Sequence, residues 1–342
     1  MSNPEDNLPP VQPPSASFLV QLFVIPLLIV GLIVLLCLML SWVANLGSQP
    51  QELVADLRKL NAGSWQKALT IANLLTDRRH DELRRDPKMA QQLADVLTEQ
   101  LKESSEAAER VKLRVYLCLA LGVFEVEEGL PALLQAARQE KSPVDLEVRK
   151  TALEAITRRA DISAASRQAI AANESVWEAI EEAAAARRDD PVLAPQYAQL
   201  RARAAYAMGV LGGERALNLL APLLADADPS VRYNAATGLA RHGDPRCVPR
   251  LVEMLDAQAI EEASQATEAT SGAGAGILEQ TAVLGNGLRA SVQLAKQLPA
   301  EQMQPIRDAV DKLVRQADLS VIVRRGIDAD LKAAAEQFQL AP

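Results

Sequence analysis

A short motif recurs along the chain and limits the folds that are available to it. An aliphatic residue followed by arginine opens each copy, small or apolar residues stand three and four positions after the arginine, and another apolar residue stands seven after it. The clearest copies are LRVYLCLALG from Leu113, VRKTALEAIT from Val148, LRARAAYAMG from Leu200 and VRYNAATGLA from Val231. Positions three, four and seven share one face of a helix, so each copy predicts an amphipathic α-helix.

Two weaker copies extend the series, VRRGIDADL from Val323 and LRASVQLAK from Leu288. The arginines of the six copies are Arg114, Arg149, Arg201, Arg232, Arg289 and Arg324, at successive intervals of 35, 52, 31, 57 and 35 residues. The two long intervals predict one repeat plus an insertion each, near residues 161–195 and 258–276. The first insertion reads as a helix with Trp177 in the core, and the second, acidic and then rich in Gly and Ala, reads as a flexible loop.

A second amphipathic segment precedes each motif, as ALNLLAPLLADAD does before Val231. The pair Asp228-Pro229 ends this segment, and Pro229 suits the first turn of the helix that follows. Each unit is therefore predicted to be helix, tight turn, helix. One such pair cannot bury its apolar face alone, whereas stacked pairs share a continuous core.

The pattern resembles HEAT repeats, in particular the short HEAT-like repeats of the phycobilin-lyase type, and the match is best over residues 216–255. The resemblance covers residues 87–338 as about six repeats, with residues 51–86 as a capping helical pair. It implies an all-α solenoid that offers an extended surface to proteins. It also implies that the motif arginine binds an acidic or carbonyl group of the neighbouring repeat, so these residues are expected to be structural: Arg114, Arg149, Arg201, Arg232 and Arg324.

The N-terminal part of the chain carries a different signal. No charged residue occurs from Asn7 to Gln51, and residues 18–43 are almost wholly apolar. Twenty-six helical residues extend about 39 Å, which exceeds the roughly 30 Å hydrocarbon core of a bilayer. Phe18 and Trp42 stand near the two ends, where aromatic rings favour the interface. Residues 18–43 are therefore predicted to form a single transmembrane helix, preceded by a disordered Pro-rich tail at 1–17.

Two other interpretations of the apolar segment remain, a cleaved signal peptide and a buried core helix. A signal peptide would carry a basic region in front of a shorter apolar run, whereas this chain has Glu5 and Asp6 there. A buried core helix rarely reaches this length without a charge. Arg58 and Lys59 follow the segment, so the positive-inside bias places the C-terminal domain in the cytoplasm.

Composition agrees with an all-α fold, because aromatic residues make up only 3% of the chain and sheets favour aromatic and β-branched residues. The net charge of −8, with both signs interspersed, gives no electrostatic footprint for nucleic acid. His80 and His242 lie in polar contexts and are expected to be solvated. Cys37, Cys118 and Cys247 show no paired spacing. No catalytic residue, cofactor or metal site is predicted.

The leading functional hypothesis is a non-catalytic, membrane-anchored scaffold or adaptor that binds protein partners on its solenoid surface and the lipid bilayer through residues 18–43. One alternative is a solenoid that handles a small molecule or chromophore, as a lyase would. Another is a structural subunit of a membrane complex. A solenoid signal by itself cannot choose among these, since function resides in a site and not in a fold.

Overall fold

The computed structural model describes residues 20–46, 50–57, 59, 61, 63–103, 105–263, 274–317 and 319–340. These residues form helices, turns and short connections, and no strand occurs among them. The predicted all-α class is confirmed. The predicted tail 1–17, Phe18 and residues 264–273 of the predicted loop 258–276 lie outside the described residues, as does the side chain of Trp42.

The chain divides into two compact units, residues 1–55 and residues 56–342. In the first unit a π-helical turn, Val20–Val24, leads into helix α1, Ile25–Leu46. Among the described residues, one stretch, Val20–Leu40, is long and apolar enough to cross a membrane, and none of its side chains is buried. Helix α2, Pro50–Leu57, crosses the boundary between the units.

The second unit consists of helices joined by short turns. Their bounds are α3 Ser64–Thr76, α4 Pro87–Glu103, α5 Ala108–Leu121, α6 Leu130–Arg138, α7 Asp145–Asp161, α8 Ala164–Ala171, α9 Glu174–Ala185, α10 Ala194–Leu211, α11 Gly213–Leu223, α12 Pro229–Arg241, α13 Val248–Met254, α14 Ala275–Ala295, α15 Ala300–Arg315 and α16 Val321–Gln337. Three 3-10 segments, Arg78–Arg85, Glu127–Gly129 and Pro245–Cys247, connect some of them, and residues 257–263 are also helical.

Helices of the second unit pack in two rows. The row that carries the motif arginines, which we call the arginine row, contains α3, α5, α7, α10, α12, α14 and α16, each packed on the next. The second row contains α4, α6, α9, α11, α13 and α15. Leucine and other aliphatic side chains fill the space between the rows, and Leu117, Leu153, Leu239 and Leu284 are fully buried there. This arrangement is the layered core that stacked helical pairs are expected to share.

Small residues let neighbouring helices of the arginine row approach closely. A Cβ atom placed on Gly209 of α10 would lie 2.7 Å from the Cα atom of Gly238 of α12. A Cβ atom on Gly122, at the end of α5, would lie 2.8 Å from the Cα atom of Ala155 in α7. Distances this short leave no room for a side chain, so glycine is required where the two backbones meet.

The segment 161–195 contributes a complete second-row helix as well as an extra one. Helix α9 lies between α6 and α11, bound by Arg138 of α6 and by Arg215 of α11. Trp177 of α9 is 4% exposed, as predicted for a core residue. Its indole N–H donates to the carbonyl of Ala171 at 2.8 Å. The short helix α8 is therefore the additional element of this repeat.

The motif that the sequence predicts at Leu288 is wrong in its register. Arg289 does not occupy the buried position that the other motif arginines occupy. Helix α14 begins at Ala275, and the Arg289 side chain is 58% exposed. The buried polar residue near the start of α14 is Gln280, which is 4% exposed and donates to the carbonyl of Ala257 at 2.9 Å. In α14 a glutamine therefore takes the role of the motif arginine.

Helix α16 presents charge where the other helices of the row present small or apolar residues. Asp328 and Lys332, four and eight positions after Arg324, form an ion pair at 2.8 Å. The same positions after Arg201 hold Ala205 and Gly209, both buried against the next helix. A polar face of this kind is suited to contact with solvent.

Candidate interaction surface

The motif arginines bind the turns between helices, and Arg114, Arg201 and Arg232 also bind a carboxylate of the next repeat. Arg114 donates to the carbonyl of Ser105 in the turn ahead of its own helix (2.7 Å) and to Asp145 at the start of α7 (3.0 Å). Arg324 donates to the carbonyls of Val314 and Gln316 at 3.0 and 2.8 Å. Carbonyl and acidic partners of this kind are those expected for structural arginines.

Arg201 forms a second buried contact of this kind. Its Nε and Nη2 atoms donate to the two carboxylate oxygens of Asp226 at 2.9 and 2.8 Å, and Nη1 donates to the carbonyl of Ala186. Burial acts to raise the pKa of Asp226, but hydrogen bonds from Arg201 and from the Asp228 N–H outweigh it and hold that pKa below its ordinary value. The Asp226 carboxylate is thus kept ionised in its pair with Arg201.

Arg149 and Tyr197 meet at one carboxylate, that of Glu140. Arg149 donates to Glu140 and to the carbonyl of Ala137 at 3.0 Å, and the Tyr197 hydroxyl donates to the other oxygen of Glu140. Burial and the neighbouring carboxylate raise the pKa of Tyr197. Because Tyr197 lies in α10, this cluster connects the α6–α7 turn to the following repeat.

The arginine row has an open face, the side of its helices that is not covered by the second row. A groove of about 480 Å³ crosses this face over three consecutive helices. Helix α7 contributes Glu147, Lys150, Thr151 and Glu154, α10 contributes Gln199, Ala202 and Arg203, and α12 contributes Ser230 and Asn234. Thr151 and Ala202 are buried and form the floor, so short side chains lie at the bottom and longer polar ones at the sides.

Ion pairs hold the sides of this groove. Lys150 contacts Glu147 at 2.7 Å and donates to Gln199 of the next helix at 2.8 Å. Arg203 of α10 lies 4.0 Å from Glu154 of α7. Both signs of charge alternate across the groove, which therefore suits a ligand that itself carries donors, acceptors and charge, such as the surface of a protein.

An aromatic cluster lies at the N-terminal end of the same row. The rings of Trp65 in α3 and Tyr116 in α5 stack with centroids 6.1 Å apart, and Lys112 lies 5.0 Å above the Trp65 ring. Both rings are half-buried and Lys112 is exposed. Tryptophan, tyrosine and cationic side chains are common in protein interfaces, and spacing alone did not single out this pair.

A smaller cavity of about 310 Å³ lies where α7 ends, beside α8. It is bordered by Arg159, which is 5% exposed and donates to the carbonyls of Phe124 and Val126 at 2.9 and 2.6 Å. Burial lowers the pKa of Arg159, with Glu127 and Glu128 acting in the opposite direction. Sequence alone does not single out this residue, because Arg159 lies ten positions after the motif arginine and resembles an ordinary surface charge.

The histidines and cysteines of the described residues do not lie together in one site. His80 lies in the 3-10 segment after α3, while His242, expected to be solvated, is half-buried and its Nε2 donates to the carbonyl of Gly209 at 2.9 Å. Cys118 and Cys247 are buried and free, and burial raises the pKa of each thiol to about 12. Among the described residues no group of three or more His, Cys, Asp or Glu could hold a metal. The absence of a cofactor stays a prediction.

Comparison with known proteins supports the repeat assignment. The family of HEAT repeats matches residues 191–271, which contain α10, α11 and α12. Residues 191–271 are thus similar to HEAT repeats, and the other helices of the arginine row repeat the packing of this segment in an α-solenoid. The phycobilin-lyase type stays a prediction, as no curated protein matches the chain.

Two solved structures align with most of the chain at low similarity. The crystal structure of She4p aligns at a TM-score of 0.37 and 16% identity over 83% of this chain and 42% of that chain, so this chain spans less than half of that structure. Human deoxyhypusine hydroxylase in complex with glycerol aligns at a TM-score of 0.30 and 18% identity, over 84% of this chain and 97% of that chain. At these scores neither alignment bears on function.

Proposed function

We propose that this protein is a membrane-anchored scaffold that binds a protein partner on the open face of the arginine row and does not catalyse a reaction. The groove across α7, α10 and α12 carries this proposal. Its floor of short side chains and its sides of mixed charge match the polar, complementary character of protein interfaces. The motif arginines contribute rigidity, because their guanidinium groups donate hydrogen bonds to the turns between helices.

The proposed organisation follows the chain. Residues 18–43 form the anchor, because the stretch Val20–Leu40 is apolar and wholly exposed, which favours lipid over water as its surroundings. Residues 51–86 cap the first repeat, and residues 87–338 form the HEAT-repeat solenoid. The tail at 1–17 precedes the anchor. The solenoid lies in the cytoplasm, on the positive-inside argument from Arg58 and Lys59.

Site-specific photo-crosslinking in cells tests the partner surface. A photoreactive amino acid is placed at Gln199 or at Asn234, both in the groove, or at Asn218, an exposed residue of α11 in the second row. The proposal expects the same adduct from both groove positions and none from Asn218. Adducts at Asn218 alone, or no adduct in the groove with the solenoid intact by circular dichroism, would refute it.

A groove-filling variant provides the matched functional control. Ala202→Arg places a long side chain on the floor of the groove and should abolish the adduct at Asn234. Asn218→Arg adds the same side chain to the second row and should leave that adduct unchanged. If both variants leave the adduct intact, the partner does not occupy the groove.

The anchor and its orientation are tested separately. Alkaline extraction should leave the full chain in the membrane pellet and release a chain that begins at residue 56. A C-terminal tag should resist protease in intact cells and be digested after permeabilisation if the solenoid is cytoplasmic. An N-terminal tag that is lost during maturation would instead identify residues 18–43 as a signal peptide.

A further inference from the structure

The helices of the arginine row run parallel, so their first turns lie along one edge of the solenoid. Arg201, in the first half of α10, binds Asp226 just ahead of α12, and Gly209, near the end of α10, faces Gly238, near the end of α12. The pair α5–α7 has the same two contacts, from Arg114 to Asp145 and from Gly122 to Ala155. We call the line of first turns, with the turns that lead into them, the N-terminal edge.

Exposed aliphatic side chains collect on the N-terminal edge. Val192, two residues ahead of α10, is 76% exposed, Leu278 in the first turn of α14 is 73% exposed, and Val321 and Ile322 at the start of α16 are 79% and 64% exposed. In the described part of the second unit, only two other large apolar side chains are classed as exposed, Ile162 and Tyr206, and they are about half as exposed.

The chain also enters the solenoid at this edge. Asp56, the first residue of the second unit, pairs with Lys67 in the first turn of α3 at 2.8 Å and with Lys59 at 2.7 Å. Helix α3 is the first helix of the arginine row and begins at Ser64. The second unit therefore begins at the edge that carries the exposed aliphatic residues.

The electrostatics of the edge permit contact with lipid headgroups. Parallel helices place the positive ends of their dipoles along it, and these favour phosphate. In the turn before α10 the side chains add no net charge, since Arg187 and Arg188 are followed directly by Asp189 and Asp190. Attraction to the bilayer would thus come from insertion of the apolar side chains. The membrane tether would strengthen this attraction, because it keeps the edge at a high local concentration near the bilayer.

We propose that the N-terminal edge of the arginine row lies on the surface of the bilayer, with Val192, Leu278, Val321 and Ile322 inserted among the headgroups. This inference rests on the anchor of the proposed function. Its consequence is a fixed orientation in which the arginine-row helices point away from the membrane and the groove faces sideways. A partner would then be held beside the bilayer. Docking of a further solenoid helix on α16 is disfavoured by the Asp328–Lys332 pair on that face.

Fluorescence quenching in proteoliposomes tests the contact on the full chain. An environment-sensitive probe is attached to Val192→Cys or Ile322→Cys, and to the controls Ile162→Cys and Tyr206→Cys, which lie at the end of α7 and in the middle of α10. Cys37 is first replaced by serine, while Cys118 and Cys247 are buried. Probes at the edge should lose emission to nitroxide-labelled lipids, and the control probes should lose emission only to a water-soluble quencher.

The outcomes separate the edge contact from the anchor. If the chain floats with the vesicles but probes at Val192 and Ile322 respond only to the aqueous quencher, the edge contact is wrong and the anchor stands. If the chain is not retained by vesicles at all, the anchor fails and the inference fails with it. The double variant Val321→Asp, Ile322→Asp changes only exposed positions. In this variant the probe at Val192 should respond to the water-soluble quencher and no longer to the nitroxide-labelled lipids. An unchanged signal at Val192 would overturn the proposal.

Discussion

Removal of the Asp226 carboxylate is the sharpest test of how the solenoid is held together. The side chains of Asp226 and Arg201 are 2% and 8% exposed and share two hydrogen bonds. In Asp226→Ala the guanidinium of Arg201 stays buried with only the carbonyl of Ala186. Loss of one partner of a buried ion pair costs about 3 to 5 kcal/mol. With a denaturant dependence of about 2 to 3 kcal/mol/M, the urea midpoint should fall by roughly 1 M or more.

The assay is urea unfolding of residues 56–342 followed by far-UV circular dichroism. The control is Glu174→Ala, which removes a carboxylate bound to Arg215 by two hydrogen bonds of 2.8 and 2.9 Å, but on an exposed surface. Screened surface pairs contribute little, so its midpoint should equal that of the wild type. Equal shifts in both variants would refute the argument that burial sets the strength of these contacts.

The same carboxylate predicts an acid dependence. The pKa of Asp226 is lower in the folded protein than its ordinary value, because the hydrogen bonds from Arg201 and Asp228 outweigh the effect of burial. Such a group contributes stability above its unfolded pKa of about 3.9, and the contribution is lost as pH falls through the folded pKa. The difference in unfolding free energy between wild type and Asp226→Asn should therefore shrink below about pH 4. A difference that is constant through this range would contradict the assignment.

Two further pairs of variants test the packing of the arginine row by thermal unfolding. Gly209→Ala, whose Cβ would lie 2.7 Å from Gly238, should destabilise the fold by about 1 to 3 kcal/mol. Gly285→Ala, whose Cβ meets only flexible side chains, should be neutral or slightly stabilising. The reverse order of stabilities would refute the close approach of the two helices. Gln280→Ala should cost about 1 to 3 kcal/mol by leaving a buried carbonyl unpaired, and Arg289→Ala less than about 1. Equal losses at these two positions would contradict the assignment of Gln280 to the motif position.

Much of the fold could be predicted because its signals are local. The spacing of apolar residues after Arg201 and Arg232 lies within single helices, and the Asp228-Pro229 turn ends one helix and begins another over a few residues. The role of Gln280 could not be predicted in the same way. A buried glutamine and an exposed one look alike in sequence, and only the packing of α14 determines which of Gln280 and Arg289 is enclosed.

The candidate surface depended still more on tertiary structure. Lys150, Gln199 and Asn234 are ordinary polar residues in three separate helices, and only the parallel stacking of those helices brings them to one groove. The same holds for Val192 and Ile322, which are far apart in the chain and share an edge because the helices of the row point the same way.

The sequence by itself determined the helices, their order and the apolar stretch at residues 18–43. Those properties follow from periodicity, turn residues and hydropathy, which act over one or two helical turns. The tertiary structure alone decided which small residues face each other across the row, which polar residues are enclosed and which side chains remain exposed together. These depend on how one helix packs against another, and packing is set by the shapes of residues that are distant in sequence.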